Sequence, residues 1–243
     1  DNAAIENCTN RAEIVVADAA DATPRTMILS GFVGKAFNGV TLRNCRNTGN
    51  ISFSSPALYM IGGFVGAVQE DDGLYTIADC HNTADFDNAG SNSGWNFMGG
   101  IAGKTISRQL VPGETSNYRL IVEECSSTGT ISIAGPSKVR ASGIVAQTQG
   151  AYRISGCTFS GAIESTDVTK RDVVIGGIMA MADKECVGLV EGCTFSGRIS
   201  AAQAGANNFF GGIYGNNGGA ASVVNDCRTT ASAYVGCPIG KSV

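Results

Sequence analysis

Apolar residues along this chain come in short bursts separated by Gly, Asn, Ser and Thr. No stretch keeps a 3.6-residue period beyond about two turns, which removes a helical reading. The bursts repeat. An apolar residue, two spacers, Cys, two spacers, Ser or Thr, Gly or Ala, one spacer and a second apolar residue recur about seven times. The clearest copy is Leu42-Arg43-Asn44-Cys45-Arg46-Asn47-Thr48-Gly49-Asn50-Ile51. Others run from Ile77 to Phe86, Val122 to Ile131, Ile154 to Ile163 and Val190 to Ile199, with degenerate copies around Cys8 and Cys227. A second cassette alternates with the first: Ser30-Gly31-Phe32-Val33-Gly34, Gly62-Gly63-Phe64-Val65-Gly66, Gly99-Gly100-Ile101-Ala102-Gly103, and on to Gly211-Gly212-Ile213-Tyr214-Gly215.

The two cassettes predict three extended runs per repeat, near Thr41 to Asn44, Asn50 to Phe53 and Met60 to Val65 in the second copy. Three strands per turn of chain is the plan of an all-β solenoid, a parallel β-helix whose coils stack about 4.8 Å apart. The expected architecture is a right-handed parallel β-helix of about seven three-stranded coils, with handedness from the rule for parallel crossovers. Each coil needs its neighbours to bury its core, so residues 1–243 read as one domain, part of a longer secreted chain. Open strand edges at the two ends of such a stack invite a neighbouring domain or self-association.

The punctuation fits this plan. The residues before the ladder cysteines are Asn7, Asn44, Asp79, Glu124, Gly156, Gly192 and Asp226. Asn, Asp and Gly tolerate positive φ, which a sharp corner demands; Glu124 sits badly there. A bend at that point also lets Cys and the apolar residue three before it both face inward, which a straight strand forbids. Asn10, Asn47 and Asn82, two after Cys, form a further column of stacked amides that Phe159 and Phe195 replace later in the chain. One pattern stands out as unexplained. Ile61 and Val65, Met98 and Ala102, and Phe210 and Tyr214 place apolar residues on both sides of the second cassette, as if its outward face were also covered.

Composition agrees with short strands and tight turns: 33 Gly, only 5 Pro and 16% charged residues. A net charge of −4 without a basic patch argues against nucleic acid as a partner. No segment reaches the roughly 18 apolar residues that cross a bilayer as a helix. Nine cysteines suggest a disulfide framework at first sight, but seven hold one repeat position and so form a column of buried, unpaired thiols. Cys186 and Cys237 lie off that column and their pairing is open.

The alternation of Gly-Gly-Phe-Val-Gly and Gly-Gly-Ile-Ala-Gly with Asn-Cys-x-Asn-Thr-Gly-x-Ile resembles the GLUG-type repeats of bacterial surface proteins, over roughly Ile5 to Gly236. Those repeats are named for a Gly-Leu-(apolar)-Gly core; here Phe or Ile replaces Leu, and the last Gly becomes Ala146 and Ala180. The resemblance implies an extracellular or cell-surface bacterial protein, adhesin-like, with no shared catalytic residues. The expected function is a non-enzymatic stalk or binding module, with glycans or a host or cell-surface protein as partner. The alternative is a β-helix polysaccharide lyase or glycoside hydrolase.

Candidate chemistry is sparse. Trp95, in the polar loop with Asn92 and Asn96, and Tyr59 one coil earlier suggest a sugar-stacking platform, since both rings join an apolar body to a polar handle. Asp79 and Glu124 hold one repeat position on adjacent coils, so their carboxylates are expected about 5 Å apart, near the spacing of a retaining glycosidase. Turn chemistry also explains both. Glu70-Asp71-Asp72-Gly73 is an acidic turn without the spacing of a calcium loop. His81, the only histidine, has no partner at zinc or general-base spacing, and no metal or cofactor is expected. Two insertions, Ala17 to Leu29 and Lys104 to Ile121, are the natural places for loops of function.

Overall fold

A computed structural model describes residues 3–17, 26–69, 72–90, 92–107, 118–135, 138–166, 172–183, 186–201, 208–216, 221–230 and 232–235. Among them there is no helix; short strands form five parallel sheets, three of seven strands and two of six. Each strand pairs with its counterparts one coil away, so that Leu42 lies between Ile5 and Ile77. One complete coil contributes Val40–Arg43 to the first sheet, Arg46–Asn47 to the second, Ile51–Phe53 to the third, Leu58–Gly62 to the fourth and Val65–Val68 to the fifth.

Each coil therefore carries five strands where three extended runs were expected. The extra breaks come at the two cassettes. The residue before each ladder cysteine has positive φ: Asn7 56°, Asn44 50°, Asp79 53°, Glu124 50°, Gly156 61°, Gly192 60° and Asp226 49°. That corner splits the first cassette into two strands and turns Leu42 and Cys45 both into the core. Glu124 adopts the left-handed conformation despite its side chain, because the hydrogen bonds of the coils on either side fix the corner: its own N–H donates to Ser155 O at 3.0 Å.

Side chains fill the interior in columns. Cys45, Cys80, Cys125, Cys157 and Cys193 are buried as thiols. Several of these Sγ groups donate to a carbonyl one coil back, as Cys125 does to Ile77 O at 3.4 Å. Burial pushes the Cys125 thiol well above its ordinary range, which keeps it protonated and unreactive. Beside this column runs an amide ladder: Asn10 Nδ2 donates to Asn47 Oδ1 at 2.8 Å, and Asn47 Nδ2 to Asn82 Oδ1 at 2.9 Å. It ends at Ser127 Oγ, 3.4 Å from Asn82 Nδ2, after which Phe159 and Phe195 stack at 5.7 Å. A buried amide column is stable only when each member is satisfied, and here neighbours along the axis satisfy one another. Native protein treated with iodoacetamide should be labelled at Cys8, which is exposed, and at none of Cys45, Cys80, Cys125, Cys157 and Cys193 until denaturant is added. Peptide mass spectrometry before and after unfolding checks this; labelling of the five in the folded state, or a disulfide between two of them, would contradict the buried column.

The second cassette is a re-entrant bend. Its glycine pair sits where backbone meets backbone: a Cβ on Gly62 would lie 2.0 Å from Val65 O. After the bend the fifth strand folds back along the outward side of the fourth, so that a Cβ on Gly66 would lie 2.7 Å from Ile28 Cγ2. This accounts for the apolar residues on both sides of the cassette. Ile61 and Val65, and Met98 and Ala102, all belong to the inner core because the bend separates them. Phe97 and Val174, outward on the fourth sheet, are only 5% and 3% exposed beneath the fifth. The chain covers its own outer face there.

Candidate outer binding groove

The re-entrant bend leaves a groove between the outward columns of the fourth and fifth sheets. On the fourth sheet the register is Ile28, Met60, Phe97, Arg140, Val174, Phe209. On the fifth it is Lys35, Ala67, Lys104, Gln147, Met181, Asn216. Each column takes one residue from each coil, so residues distant in sequence meet at the coil spacing.

Cations and aromatic rings interleave in the middle of this groove. The Arg140 guanidinium lies 4.4 Å from the Trp95 ring centre and 5.6 Å from that of Phe97. Lys104 Nζ is 5.2 Å from the Phe97 ring and Lys138 Nζ 5.8 Å from the Trp95 ring. One carboxylate gathers the donors. Asp183 accepts from Arg140 Nη1 at 3.4 Å, from Gln147 Nε2 at 2.6 Å and from Gln149 Nε2. Burial pushes both the Arg140 and Lys104 cations below their ordinary values, and the Asp183 charge opposes this in each case. Arg140 Nε and Gln147 Oε1 are buried without a hydrogen-bond partner among the described residues.

Of the residues singled out in the sequence, Trp95 lies on this groove and Tyr59 does not. Trp95 is half-buried and faces outward, whereas Tyr59 is fully buried. The Tyr59 hydroxyl donates to Ser55 O at 2.7 Å and its ring centre lies 3.9 Å from that of Phe53. The register explains the separation. Phe97 pairs with Met60, so Asn96, not Trp95, is beside Tyr59. One residue of offset moves a side chain to the other face of a strand. Asn92 and Asn96 likewise form a scaffold instead of a platform. Asn96 Nδ2 donates to Asn92 Oδ1 at 2.8 Å, its Oδ1 accepts from Tyr59 N at 3.0 Å, and Asn92 Nδ2 donates to Ala57 O at 2.8 Å.

Asp79 and Glu124 occupy the adjacent corners expected of them but lean apart. Asp79 pairs with Arg43, one coil back, at 3.5 Å. Glu124 lies over Gly156, one coil forward, where a Cβ would meet its Oε1 at 2.0 Å. The forward lean of Glu124 helps to form a cleft of about 580 Å³ lined by Glu123, Glu124, Arg153, Glu191 and Asp226. Arg153 donates to Glu191 Oε1 from Nη2 at 2.6 Å and Nε at 3.0 Å, which commits that carboxylate. No group of three or more metal-ligating side chains occurs among the described residues. His81 Nδ1 is 2.8 Å from Ser126 Oγ on the outer wall. Glu70 and Asp71, residues 18–25 and 108–117 of the two insertions, and Cys237 lie outside the described residues.

Sequence reasoning missed Lys35, Lys104, Arg140 and Asp183. A signal existed: Arg140 stands in Val139-Arg140-Ala141-Ser142, a charge inside a run whose counterparts on other coils are apolar.

No protein-family model matches the chain, and neither does any curated protein. Among solved structures the chain is similar to a crystal structure described as a "putative immunoglobulin A1 protease from Bacteroides ovatus". The TM-score is 0.57 at 22% identity, over 98% of this chain and 62% of that one. At that identity the likeness shows a shared fold, the parallel β-solenoid. The chain spans less than two thirds of that structure.

Proposed function

We propose that this chain is a non-catalytic β-solenoid module of an extracellular, surface-attached bacterial protein, adhesin-like in role, whose outer groove binds carbohydrate. The winding is right-handed, as parallel crossovers are, with about seven coils in line with the seven-stranded sheets. The GLUG-like cassettes and the Bacteroides ovatus structure, whose described target is an immunoglobulin, support the extracellular setting. The observation that carries the binding role is the Trp95–Arg140 stack. A guanidinium held over an indole at 4.4 Å restrains both groups while leaving donors for polar atoms of a ligand. Rigid aromatic area beside fixed donors is what a sugar ring needs for stacking and hydrogen bonding.

A glycan array read with wild-type protein and Trp95→Ala tests this. Wild type is expected to bind at least one glycan class, with the signal falling about tenfold in the variant for loss of one good contact. Binding that is unchanged in Trp95→Ala, or no binding to any glycan, would overturn the carbohydrate reading. The acidic cleft around Arg153 favours a second reading, a polysaccharide lyase or glycoside hydrolase. Release of reducing ends or unsaturated products that disappears in Glu124→Gln would replace the first reading with the second.

A further inference from the structure

We propose that the end of the groove between Lys35 and Lys104 is a separate binding site for a small amphiphilic carboxylate, an anionic head on an aliphatic body. The site exists because of one small residue. In the outward column of the fifth sheet, Ala67 stands between Lys35 and Lys104 in direct register with both. Further along, Gln147 and Met181 fill the corresponding positions. The missing side chain at Ala67 leaves a cavity of about 310 Å³, at the small end of the range for ligand sites.

The lining selects the chemistry. Ile28, Met60, Ala67, Val68 and Ile106 make an apolar floor, and Lys35 and Lys104 stand on either side of it. Among the described residues no carboxylate lines the cavity and neither lysine has an ion-pair partner. Lys35 rests over the Phe37 ring and Lys104 over the Phe97 ring, contacts that orient the ammonium groups without neutralising them. Asp183, whose charge acts on Lys104, is already taken by Arg140, Gln147 and Gln149. Burial holds the Lys104 ammonium below its ordinary proton affinity, so an anion placed beside it restores that affinity and gains binding in return. Polar side chains on the floor are few, with Thr26 and Gln69 at the rim, which disfavours a sugar and favours a hydrocarbon chain.

This site goes beyond the glycan reading, and its test is independent of it. Isothermal titration calorimetry with sodium decanoate, below its micelle concentration, gives the direct answer. Decanoate is expected to bind one site per chain, and decanol at least about tenfold more weakly, since it keeps the tail and loses the charge. Lys104→Ala and Lys35→Ala should each weaken decanoate about tenfold. Ala67→Met should remove binding by filling the cavity with the residue that Met181 already supplies three coils on, and an unchanged melting curve shows that this variant is folded. Trp95→Ala should leave decanoate binding as it is, so a failure of the glycan platform does not count here. Decanoate that fails to bind wild type, or binds Ala67→Met and both lysine variants as well as wild type, overturns the proposal. So does a hexaglutamate peptide that binds the wild type while decanoate neither binds nor competes, because the occupant would then be an acidic peptide.

Discussion

Tyr59→Ala should lower the stability of the chain by about 3–5 kcal/mol, the range for deleting a large buried ring. Tyr59 has no exposed surface, and its ring lies against Phe53. Its truncation also leaves Ser55 O without the hydroxyl that now donates to it at 2.7 Å. Trp95→Ala should cost far less, about 1 kcal/mol. The ring is half-buried at the groove, and what it loses is mainly the cation–aromatic contact with Arg140, worth about 0.5–1 kcal/mol at an exposed site. For a chain of this size each kcal/mol moves the melting midpoint by about 2–4 °C, so the two variants should differ by roughly 5–15 °C. Paired thermal melts followed by circular dichroism separate them. Equal drops, or a larger drop for Trp95→Ala, would mean that the two rings share one face after all and that the fourth-sheet register is wrong.

That contrast marks what the sequence could and could not reveal. Features that recur at one position over three or more coils were legible, because each coil is an independent sample of the same environment. The positive-φ corner showed itself as Asn, Asp or Gly before Cys, and the amide ladder as Asn10, Asn47 and Asn82. The five-stranded coil was not legible. Strands as short as Arg46–Asn47 or His81–Asn82 hold too few residues to show alternation. The bend angle at the glycine pair is also silent in sequence: Gly62-Gly63 announces a turn, but not that the next strand folds back over the outer face.

Candidate site residues fared worse for a related reason. The loops before the fourth strand differ in length, with Ser54 to Ala57 in one coil and Ala89 to Gly94 in the next. They give no common origin for counting; from the paired Gly99 and Gly62, Trp95 stands four residues back and Tyr59 three, and one residue reverses the face. The groove itself is assembled from outward positions on four coils, Lys35, Ala67, Lys104 and Arg140, of which no two are close in sequence. Such a site becomes visible only when the register is known.

Gly100→Ala should destabilise the chain by about 3 kcal/mol, while Gly34→Ala should be neutral or slightly stabilising, although both glycines belong to the same cassette. A Cβ on Gly100 would lie 2.1 Å from Gly143 O and 2.4 Å from Ser127 Oγ. The first contact is with backbone, which cannot swing aside without shifting the next coil, and overpacking of this kind costs about 1–3 kcal/mol and occasionally more. A Cβ on Gly34 meets only Ile28 O, at 3.5 Å, an ordinary contact. Replacing glycine there removes freedom from the unfolded chain, a gain of about 0.4–1 kcal/mol where the native conformation allows it. The chain's own repeats agree with this difference. The column of Gly31, Gly63, Gly100, Gly143, Gly177 and Gly212 holds glycine in every coil, whereas the column of Gly34, Gly66 and Gly103 continues as Ala146 and Ala180. Urea titration of the two variants against wild type measures both effects. A Gly100→Ala protein as stable as wild type would show that the second cassette's corner does not press on the coil beside it, and the tight stacking of the re-entrant bend would have to be abandoned.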